Sequence, residues 1–137
     1  MADLIDAHIY AGAHTLGVSR CGTFKYRLMN DQDKGMNATF RNDLRRQCNY
    51  NAMNVAPLDA GSPYGFDTSF YANVLSNKTV LESDAALNSP STVARVRQLK
   101  NHPSTFMRSF EVSMGRMGAL RGSNPGKVRD NCRKVRW

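Results

Sequence analysis

The 137-residue sequence has no long uninterrupted run of apolar residues. A membrane-spanning helix needs about 20 consecutive, mostly apolar residues, and the uncharged apolar runs here are far shorter, so we expect no membrane association. The first residues, MADLIDAHIYAGAH, contain acidic residues where a secretory signal needs a basic region, and they lack a long apolar core. We therefore expect no export signal in the sequence as written.

Acidic residues are also few. The sequence has 11 Asp and Glu and 19 Lys and Arg, which gives a formal charge of +8. The segment from Arg121 to Arg136 contains six basic residues and one acidic residue, Asp130. Such a segment is able to contact nucleic acid, an anionic polysaccharide or a membrane surface. No aromatic residue is interleaved with it before Trp137, and no nucleic-acid motif is present. We expect residues 119–137 to form a solvated basic strap that has no nucleic-acid partner.

Cysteine is scarce as well, and the three residues Cys21, Cys48 and Cys132 form no C-x-x-C pair and lie too far apart for a zinc knuckle. Two of the three are able to form one disulfide, which leaves an odd one. Two N-glycosylation triplets, Asn37-Ala38-Thr39 and Asn77-Lys78-Thr79, lie in polar stretches. Together, the cysteines and triplets indicate an oxidising, secretory setting.

The apolar residues recur mostly with helical spacing, which predicts one mainly α domain over residues 1–137, without repeats or an internal boundary. We expect helices at residues 3–13, 40–47, 68–76, 83–87, 91–100 and 103–118. The apolar spacing predicts that Phe70 is buried in the third of these helices and that Val96 and Leu99 are buried in the fifth. The segments 17–36 and 49–65 are rich in Gly, Pro, Asn and Asp, so we expect them to be mostly irregular, with a helical piece at residues 24–29.

Polar residues before three of these helices predict where they begin. Thr39, Asp67 and Ser91 are the expected caps of the second, third and fifth helices. In the last helix, the apolar stripe Phe106, Phe110, Met114 and Met117 predicts a core face and not a cofactor site.

The stretch Ala11-Gly12-Ala13-His14-Thr15-Leu16-Gly17 places a single histidine at the end of the first helix, between small residues. Gly12 and Ala13 leave room for a bulky flat group near the backbone, and Gly17 is an expected turn residue. A lone histidine is more often a core residue than a ligand. The stretch by itself leaves both interpretations open.

A set of ordered motifs resembles the secreted plant (class III) haem peroxidases. The motifs follow one another in the family's order: AGAHTLG with Cys21 seven residues after His14, LRRQC, PLDAGSPYGFDTSFYANVL, LESDAAL, NHPSTFMRSFEVSMGRMG and VRDNCRKV. The resemblance covers essentially the whole chain but only the C-terminal, proximal half of the family's fold. It implies a mainly α proximal helical domain, with the N-terminal distal half missing.

The resemblance implies a role for particular residues. His14 resembles the axial ligand of haem iron, and Asp84 resembles the buried carboxylate that accepts a hydrogen bond from the other nitrogen of that ring. Without the family, Asp84 reads as a surface acid near a helix N-terminus. Cys21 and Cys48 match the family's disulfide, and Cys132 matches a cysteine whose partner lies in the distal half.

A calcium site is the second implied feature. Its implied ligands are Thr15, Asp59, Ser62, the Gly65 carbonyl and Asp67, with Ser62 in place of the more usual threonine. Two carboxylates with hydroxyl and carbonyl oxygens suit a hard cation. Because Thr15 adjoins His14, the ion would brace the haem ligand.

The implied function is reduction of hydrogen peroxide and oxidation of phenolic donors, with haem b and calcium as cofactors, in the cell wall or vacuole. The family's distal R-x-x-F-H-D-C pattern is absent from the sequence, and neither His8 nor His102 has the required neighbours. We therefore expect a truncated gene product, an alternative transcript or an incomplete gene model of a secreted peroxidase, and we expect the chain by itself to be a poor peroxidase. Two alternatives are a non-catalytic, calcium-stabilised basic fragment that binds anionic cell-wall polysaccharide, and a relic that does not fold alone.

Overall fold

Helices make up most of the described chain, as the sequence predicts. The computed structural model describes residues 2–31, 33–121, 126, 129 and 131–134, with the backbone alone for residues 2–6. This part contains seven α-helices, two short 3₁₀ turns and one two-stranded sheet. None of the helices described is long and apolar enough to cross a membrane.

The elements follow one another along the chain with short connections. They are α1 (Ala2–Ala11), a 3₁₀ turn (Gly12–Thr15), β1 (Val18–Arg20), α2 (Cys21–Met29), α3 (Ala38–Cys48), β2 (Val55–Pro57), α4 (Ser69–Leu75), α5 (Glu82–Ala85), a second 3₁₀ turn (Ala86–Asn88), α6 (Val93–Asn101) and α7 (Pro103–Gly118).

The two strands correct the expectation of mostly irregular segments at 17–36 and 49–65. Strand β1 pairs antiparallel with β2, with Val18 opposite Pro57 and Arg20 opposite Val55. Helix α2 also begins at Cys21, three residues earlier than expected. A strand of three residues is too short to show an alternating pattern, so pairing across the fold decides its conformation.

The helix starts also differ from the predicted caps. Asn37 caps α3 in place of Thr39, because its side-chain oxygen accepts a hydrogen bond from the backbone N–H of Phe40 at 3.1 Å. Asp67 lies one residue before the N-cap position of α4 and accepts from the N–H of Ser69 at 2.7 Å. Helix α6 starts at Val93, two residues after Ser91.

Two apolar clusters form the core. The first joins α2, α3 and β2 through Cys21, Phe24, Leu28, Met36, Phe40, Leu44, Cys48, Ala56 and Val80. The second joins α1, α4, α6 and α7 through Ile9, Phe70, Tyr71, Val74, Val96, Leu99 and Phe106. The 3₁₀ turn Gly12–Thr15 connects the helix α1 of the second cluster to β1 and α2, so His14 lies where the chain passes from one cluster to the other.

The apolar stripe of α7 is only partly core. Phe106 is fully buried, whereas Met114 and Met117 are 38% and 42% exposed, so the core prediction is wrong for these two methionines. Ser113 is buried instead, and its carbonyl accepts a hydrogen bond from the Tyr10 hydroxyl at 2.8 Å. The partners of α7 therefore decide which side of its C-terminal half is covered.

Some sequence predictions lie largely outside the described residues. Most of the 119–137 strap is among them. Within the strap, Asn131 and Lys134 close a tight turn, with Lys134 N–H donating to the Asn131 carbonyl at 2.9 Å. Cys132 in this turn is an exposed free thiol. The strap as a whole stays a prediction.

Candidate functional site

His14 sits in the 3₁₀ turn that follows α1, and its ring contacts a carboxylate 70 residues further along the chain. Its Nδ1 lies 3.0 Å from Oδ1 and 3.2 Å from Oδ2 of Asp84. Asp84 is 1% exposed, whereas the His14 side chain is 35% exposed. The two residues therefore form a pair with one buried member and one member open to solvent.

This pair sets the electrostatics of the imidazole. The hydrogen bond with Asp84 raises the pKa of His14 above the ordinary value of 6.5; partial burial opposes that rise, and the negative charge of Asp84 adds to it. Because the carboxylate holds a proton at Nδ1, the neutral ring presents the lone pair of Nε2. Nε2 makes no hydrogen bond within the described part of the chain.

Phe70 supports the histidine from α4, a contact that the sequence did not reveal. The rings of His14 and Phe70 meet edge to face, with centroids 6.1 Å apart and planes at 80°. Phe70 is fully buried, so the core holds this ring in place beside the imidazole. Only the apolar spacing of α4 pointed to a buried Phe70, and that spacing does not say what the ring faces.

Gly12 corrects one expectation about this stretch. A Cβ at this position would lie 2.5 Å from both Phe106 Cε2 and Tyr71 Oη. The space beside Gly12 is thus filled by core side chains and is not open to a bulky flat group. Gly17 has φ of +97°, which matches its expected turn role.

A cluster of oxygen atoms lies directly after the histidine. The hydroxyl of buried Thr15 is 3.2 Å from Asp59 Oδ2, 3.2 Å from the Gly65 carbonyl and 3.4 Å from Asp67 Oδ1. This hydroxyl has a single proton, although three acceptor oxygens lie within hydrogen-bond distance of it. The arrangement brings together three oxygen-bearing groups from the loop 59–67 around the residue that follows His14.

Ser62 belongs to the same loop. Its N–H is 3.3 Å from Asp59 Oδ1, and its carbonyl accepts from the N–H of Gly65 at 3.1 Å. The side-chain oxygen of Ser62 also contacts Asp67. All five residues expected at the calcium site are therefore neighbours in the fold.

Asp59 has further partners that the sequence did not reveal. Gly61 N–H donates to it at 2.9 Å, Asn73 Nδ2 at 2.6 Å, and the Ser69 hydroxyl donates to its other oxygen. Ser69 and Asn73 are four residues apart on one face of α4, and this spacing is the signal in the sequence that relates them to one another. These donors satisfy the fully buried carboxylate.

The surroundings of Asp67 favour its ionised form. Desolvation acts to raise the pKa of Asp67, but hydrogen bonds from the hydroxyl and N–H of Ser69, from Ser62 and from Thr15 outweigh it and hold that pKa below its ordinary value. Two carboxylates are present in this cluster. Across the described residues, no group of three or more His, Cys, Asp or Glu side chains is placed to hold a metal ion.

The disulfide lies in the first apolar cluster. Cys21 and Cys48 are bonded, with their Cα atoms 5.8 Å apart and a sequence separation of 27. It ties the start of α2 to the end of α3. Strand β1, which follows the 3₁₀ turn of His14, is thereby anchored to both helices.

The mainly α fold agrees with what comparison with known proteins shows. The chain matches the peroxidase family over residues 5–102, which include His14, Asp84 and the whole oxygen cluster. The chain belongs to the peroxidase family, and its resemblance to plant class III peroxidases is confirmed.

Similar plant proteins span the chain almost completely. Peroxidase 24 of Arabidopsis thaliana is 30% identical over 97% of this chain and 42% of its own length. Peroxidase 2 of Oryza sativa subsp. indica is 37% identical over 97% of this chain and 44% of its own length. The lignin-forming anionic peroxidase of Nicotiana tabacum is 35% identical over 97% of this chain and 45% of its own length. The chain thus spans less than half the length of these relatives.

Proposed function

We propose that this chain is the proximal half of a haem peroxidase that reduces hydrogen peroxide and oxidises phenolic donors. Family membership supports the reaction class. The observation that carries the proposal is the His14–Asp84 pair, which leaves Nε2 of His14 accessible. The next residue, Thr15, is hydrogen-bonded to the loop 59–67. His14 is the proposed axial ligand of haem iron, and Asp84 is its positioning residue.

The chemistry of His14 fits a haem ligand. A metal-binding imidazole ordinarily donates its other N–H to a carboxylate or carbonyl, which fixes the tautomer and raises the basicity of the ligating nitrogen. His14 has this arrangement, with Nδ1 bonded to a 1% exposed carboxylate and Nε2 without a partner among the described residues. When bound, haem would supply the redox-active iron.

Three side chains keep the imidazole in place. Asp84 accepts from Nδ1, which holds the proton on the side away from Nε2. Phe70 packs edge to face against the ring. The hydroxyl of Thr15, the residue that follows His14, bonds to Asp59 and Asp67. These contacts orient the ring before any ligand binds, which reduces the entropy lost on binding.

The oxygen cluster fits calcium by its donor set. Thr15, Asp59, Ser62, Gly65 and Asp67 offer carboxylate, hydroxyl and carbonyl oxygens, which are the ligands that a hard cation prefers. Thr15 has one proton for three acceptors, so a cation would relieve the crowding of partial negative charge. We propose that calcium binds here and rigidifies the turn that holds His14.

The proposal assigns the acid–base chemistry of peroxide cleavage to residues outside this sequence. Proton transfer and charge stabilisation contribute large factors to such a step, and His8 and His102 lack the sequence neighbours of a distal pair. We expect the chain by itself to turn over peroxide slowly. A rate equal to that of a full-length relative would contradict this expectation.

Delivery by the secretory route, to the cell wall or the vacuole, is part of the same proposal and is supported by the disulfide. The rival function, binding of anionic polysaccharide through the basic strap, stays an untested prediction. A salt-sensitive association with polygalacturonate that is lost when Arg121, Arg129, Arg133 and Lys134 are replaced by Ser would favour it.

Haem titration tests the proposed function. The calcium-loaded chain and its His14→Ala variant are titrated with haemin and followed by the Soret absorption band. We expect a shift that saturates at one haem per chain in the wild type and disappears in the variant, because Nε2 of His14 is the proposed ligand.

His102 is exposed and provides a matched control. Its backbone carbonyl accepts a hydrogen bond from the N–H of Phe106, and this bond does not involve the ring that the substitution removes. The His102→Ala variant should titrate like the wild type. A Soret shift that is indifferent to His14, or that depends on His102, would overturn the assignment of the ligand.

A further inference from the structure

Met53 is an exposed methionine in the turn between α3 and β2, and a cationic side chain contacts its sulfur. Nη1 of Arg20 lies 3.6 Å from Sδ of Met53, which follows it 33 residues later in the sequence. Met53 is 64% exposed, and Arg20 is exposed as well. Within the described chain, Arg20 forms no ion pair with a carboxylate. The sulfur therefore lies beside a guanidinium whose charge no described carboxylate offsets.

The residues on either side of Met53 are both held by backbone hydrogen bonds. The carbonyl of Ala52 accepts from the N–H of Gly22 at 3.0 Å. The carbonyl of Asn54 accepts from the N–H of Cys21 at 2.7 Å. The arginine directly precedes Cys21 at the end of β1. The fold therefore brings the sulfur and the guanidinium together, and no local opening is needed for a small solute to reach them.

Met29, the last residue of α2, is a methionine of nearly equal exposure, at 61%. Among the described residues, the hydrogen bond to a methionine sulfur is the one from Arg20 to Met53. Met114 and Met117 of α7 are less exposed, at 38% and 42%. Access to solvent therefore does not separate Met53 from Met29, whereas the contact with Arg20 does.

Oxidation of a thioether by hydrogen peroxide builds negative charge on the departing oxygen. A lone pair of the sulfur attacks one peroxide oxygen, so that an S–O bond forms while the O–O bond breaks. The hydrogen of the attacked oxygen passes to the departing oxygen, which leaves as water. The thioether is thus oxidised to the sulfoxide, and the peroxide is reduced to water. An N–H of Arg20 beside the sulfur is placed to stabilise the departing oxygen while its charge develops.

We propose that Met53 is a modification site for hydrogen peroxide in the folded chain, at which Arg20 assists formation of the sulfoxide and then binds its oxygen. Thioether sulfur is a weak acceptor, whereas a bond from a guanidinium to the sulfoxide oxygen is charge-assisted and stronger. The modified side chain would therefore fasten the turn after α3 to the end of β1. The reaction uses peroxide directly and needs neither haem nor calcium, so it goes beyond the proposed function and is independent of it.

Peroxide treatment of the full chain tests the proposal. The free thiol of Cys132 is blocked with N-ethylmaleimide, no haem is added, and mass spectrometry of the peptides measures the initial rate of sulfoxide formation at each methionine. We expect Met53 to react at least about threefold faster than Met29 in the folded chain, because one exposed hydrogen bond contributes a modest factor to a rate. In the reduced and S-alkylated chain in urea, the two rates should be equal.

Matched variants separate the role of Arg20 from exposure and folding. Arg20→Gln removes the charge and should lower the rate at Met53 to that of Met29, while Arg20→Lys should keep part of the advantage. Lys34→Gln removes an exposed charge elsewhere and should leave both rates unchanged. After oxidation of the wild-type chain, the N–H of Gly22 should exchange with solvent about threefold more slowly, because its partner segment is then held by a stronger bond.

Equal rates at Met53 and Met29 in the folded chain, a rate at Met53 that is indifferent to Arg20→Gln, or a difference that persists in urea would overturn the assisted site. Unchanged or faster exchange at Gly22 after oxidation would overturn the fastening of the turn. None of these results depends on haem binding, so failure of this proposal is distinguishable from failure of the proposed function.

Discussion

At the scale of single residues, the bond between His14 and Asp84 decides how the imidazole is presented. The carboxylate is buried, and its proton-accepting oxygens lie within 3.2 Å of Nδ1. An amide in its place would keep the shape but remove the charge that favours the Nδ1 proton. The ligating nitrogen would become less basic and less firmly oriented.

Replacing Asp84 with Asn should therefore weaken haem binding. We expect the affinity measured by haemin titration to fall by about 10–100-fold, which is the usual cost of losing such an outer partner. Glu82→Gln is the matched control, because Glu82 lies on the same helix, is exposed, and its side chain accepts a hydrogen bond only from the Tyr26 hydroxyl in the described contacts. Equal affinities of the Asp84→Asn variant and the wild type would show that the pair does not serve a ligand.

Gly12 is a second residue whose role follows from packing. A Cβ would meet Phe106 and Tyr71 at 2.5 Å, so Gly12→Ala should destabilise the fold by about 1–3 kcal/mol, the usual cost of overpacking a core. Urea unfolding measures the change. Gly115→Ala in α7 is the control, since its added methyl meets nothing within 4 Å and should stabilise the helix by about 0.5–1 kcal/mol. Destabilisation of similar size in both variants would refute the packing argument.

At the scale of elements, the disulfide joins α2 and α3 across a loop that buried arginines also hold. Arg41 donates to the carbonyls of Asp33 and Met36, and Arg27 donates to Asp33. The described residues of the loop 30–37 are thus tied down although they contain little regular structure. The disulfide should act mainly by restricting the unfolded chain.

The double variant Cys21→Ala with Cys48→Ala should lose about 3–4 kcal/mol of unfolding free energy, as the chain-entropy relation gives for a loop of this length. Denaturant unfolding under non-reducing conditions measures it. Cys132→Ser is the control, because Cys132 is exposed and unbonded and should leave stability unchanged. A loss below about 1 kcal/mol in the double variant would mean that the arginine contacts alone hold the loop.

At the scale of the whole molecule, the proposed calcium site links the two apolar clusters. Thr15 follows α1 and the His14 turn, while Asp59 and Asp67 lie between β2 and α4. An ion bound to all three would therefore join segments that pack in different clusters. Binding to the folded state alone stabilises it by mass action.

Calcium should raise the thermal midpoint of the chain. At a concentration 100-fold above Kd the expected gain is about 2.7 kcal/mol, or roughly 5–15 °C in Tm. Scanning calorimetry with and without chelator measures the shift. Asp67→Asn should remove most of it, whereas the exposed Asp43→Asn should not. A calcium response that persists in Asp67→Asn would place the ion elsewhere.

The sequence was sufficient for the helical class and for the positions of most helices. The spacing of Phe70, Val96 and Leu99 identified buried positions, because a helix repeats its faces every three to four residues. It was not sufficient for β1 and β2, which have three residues each, nor for the exposure of Met114 and Met117. Those outcomes depend on which elements become neighbours.

The sequence by itself determined the family, through ordered motifs that include His14, Asp84 and the loop 59–67. Only the tertiary structure decided that His14 faces Asp84 and Phe70, that the space beside Gly12 is filled, and that Asn37 is exposed while Thr79 is buried. The physical reason is the same in each case. Local patterns act over a few residues, whereas these contacts join groups that are tens of residues apart and form only when the core is packed.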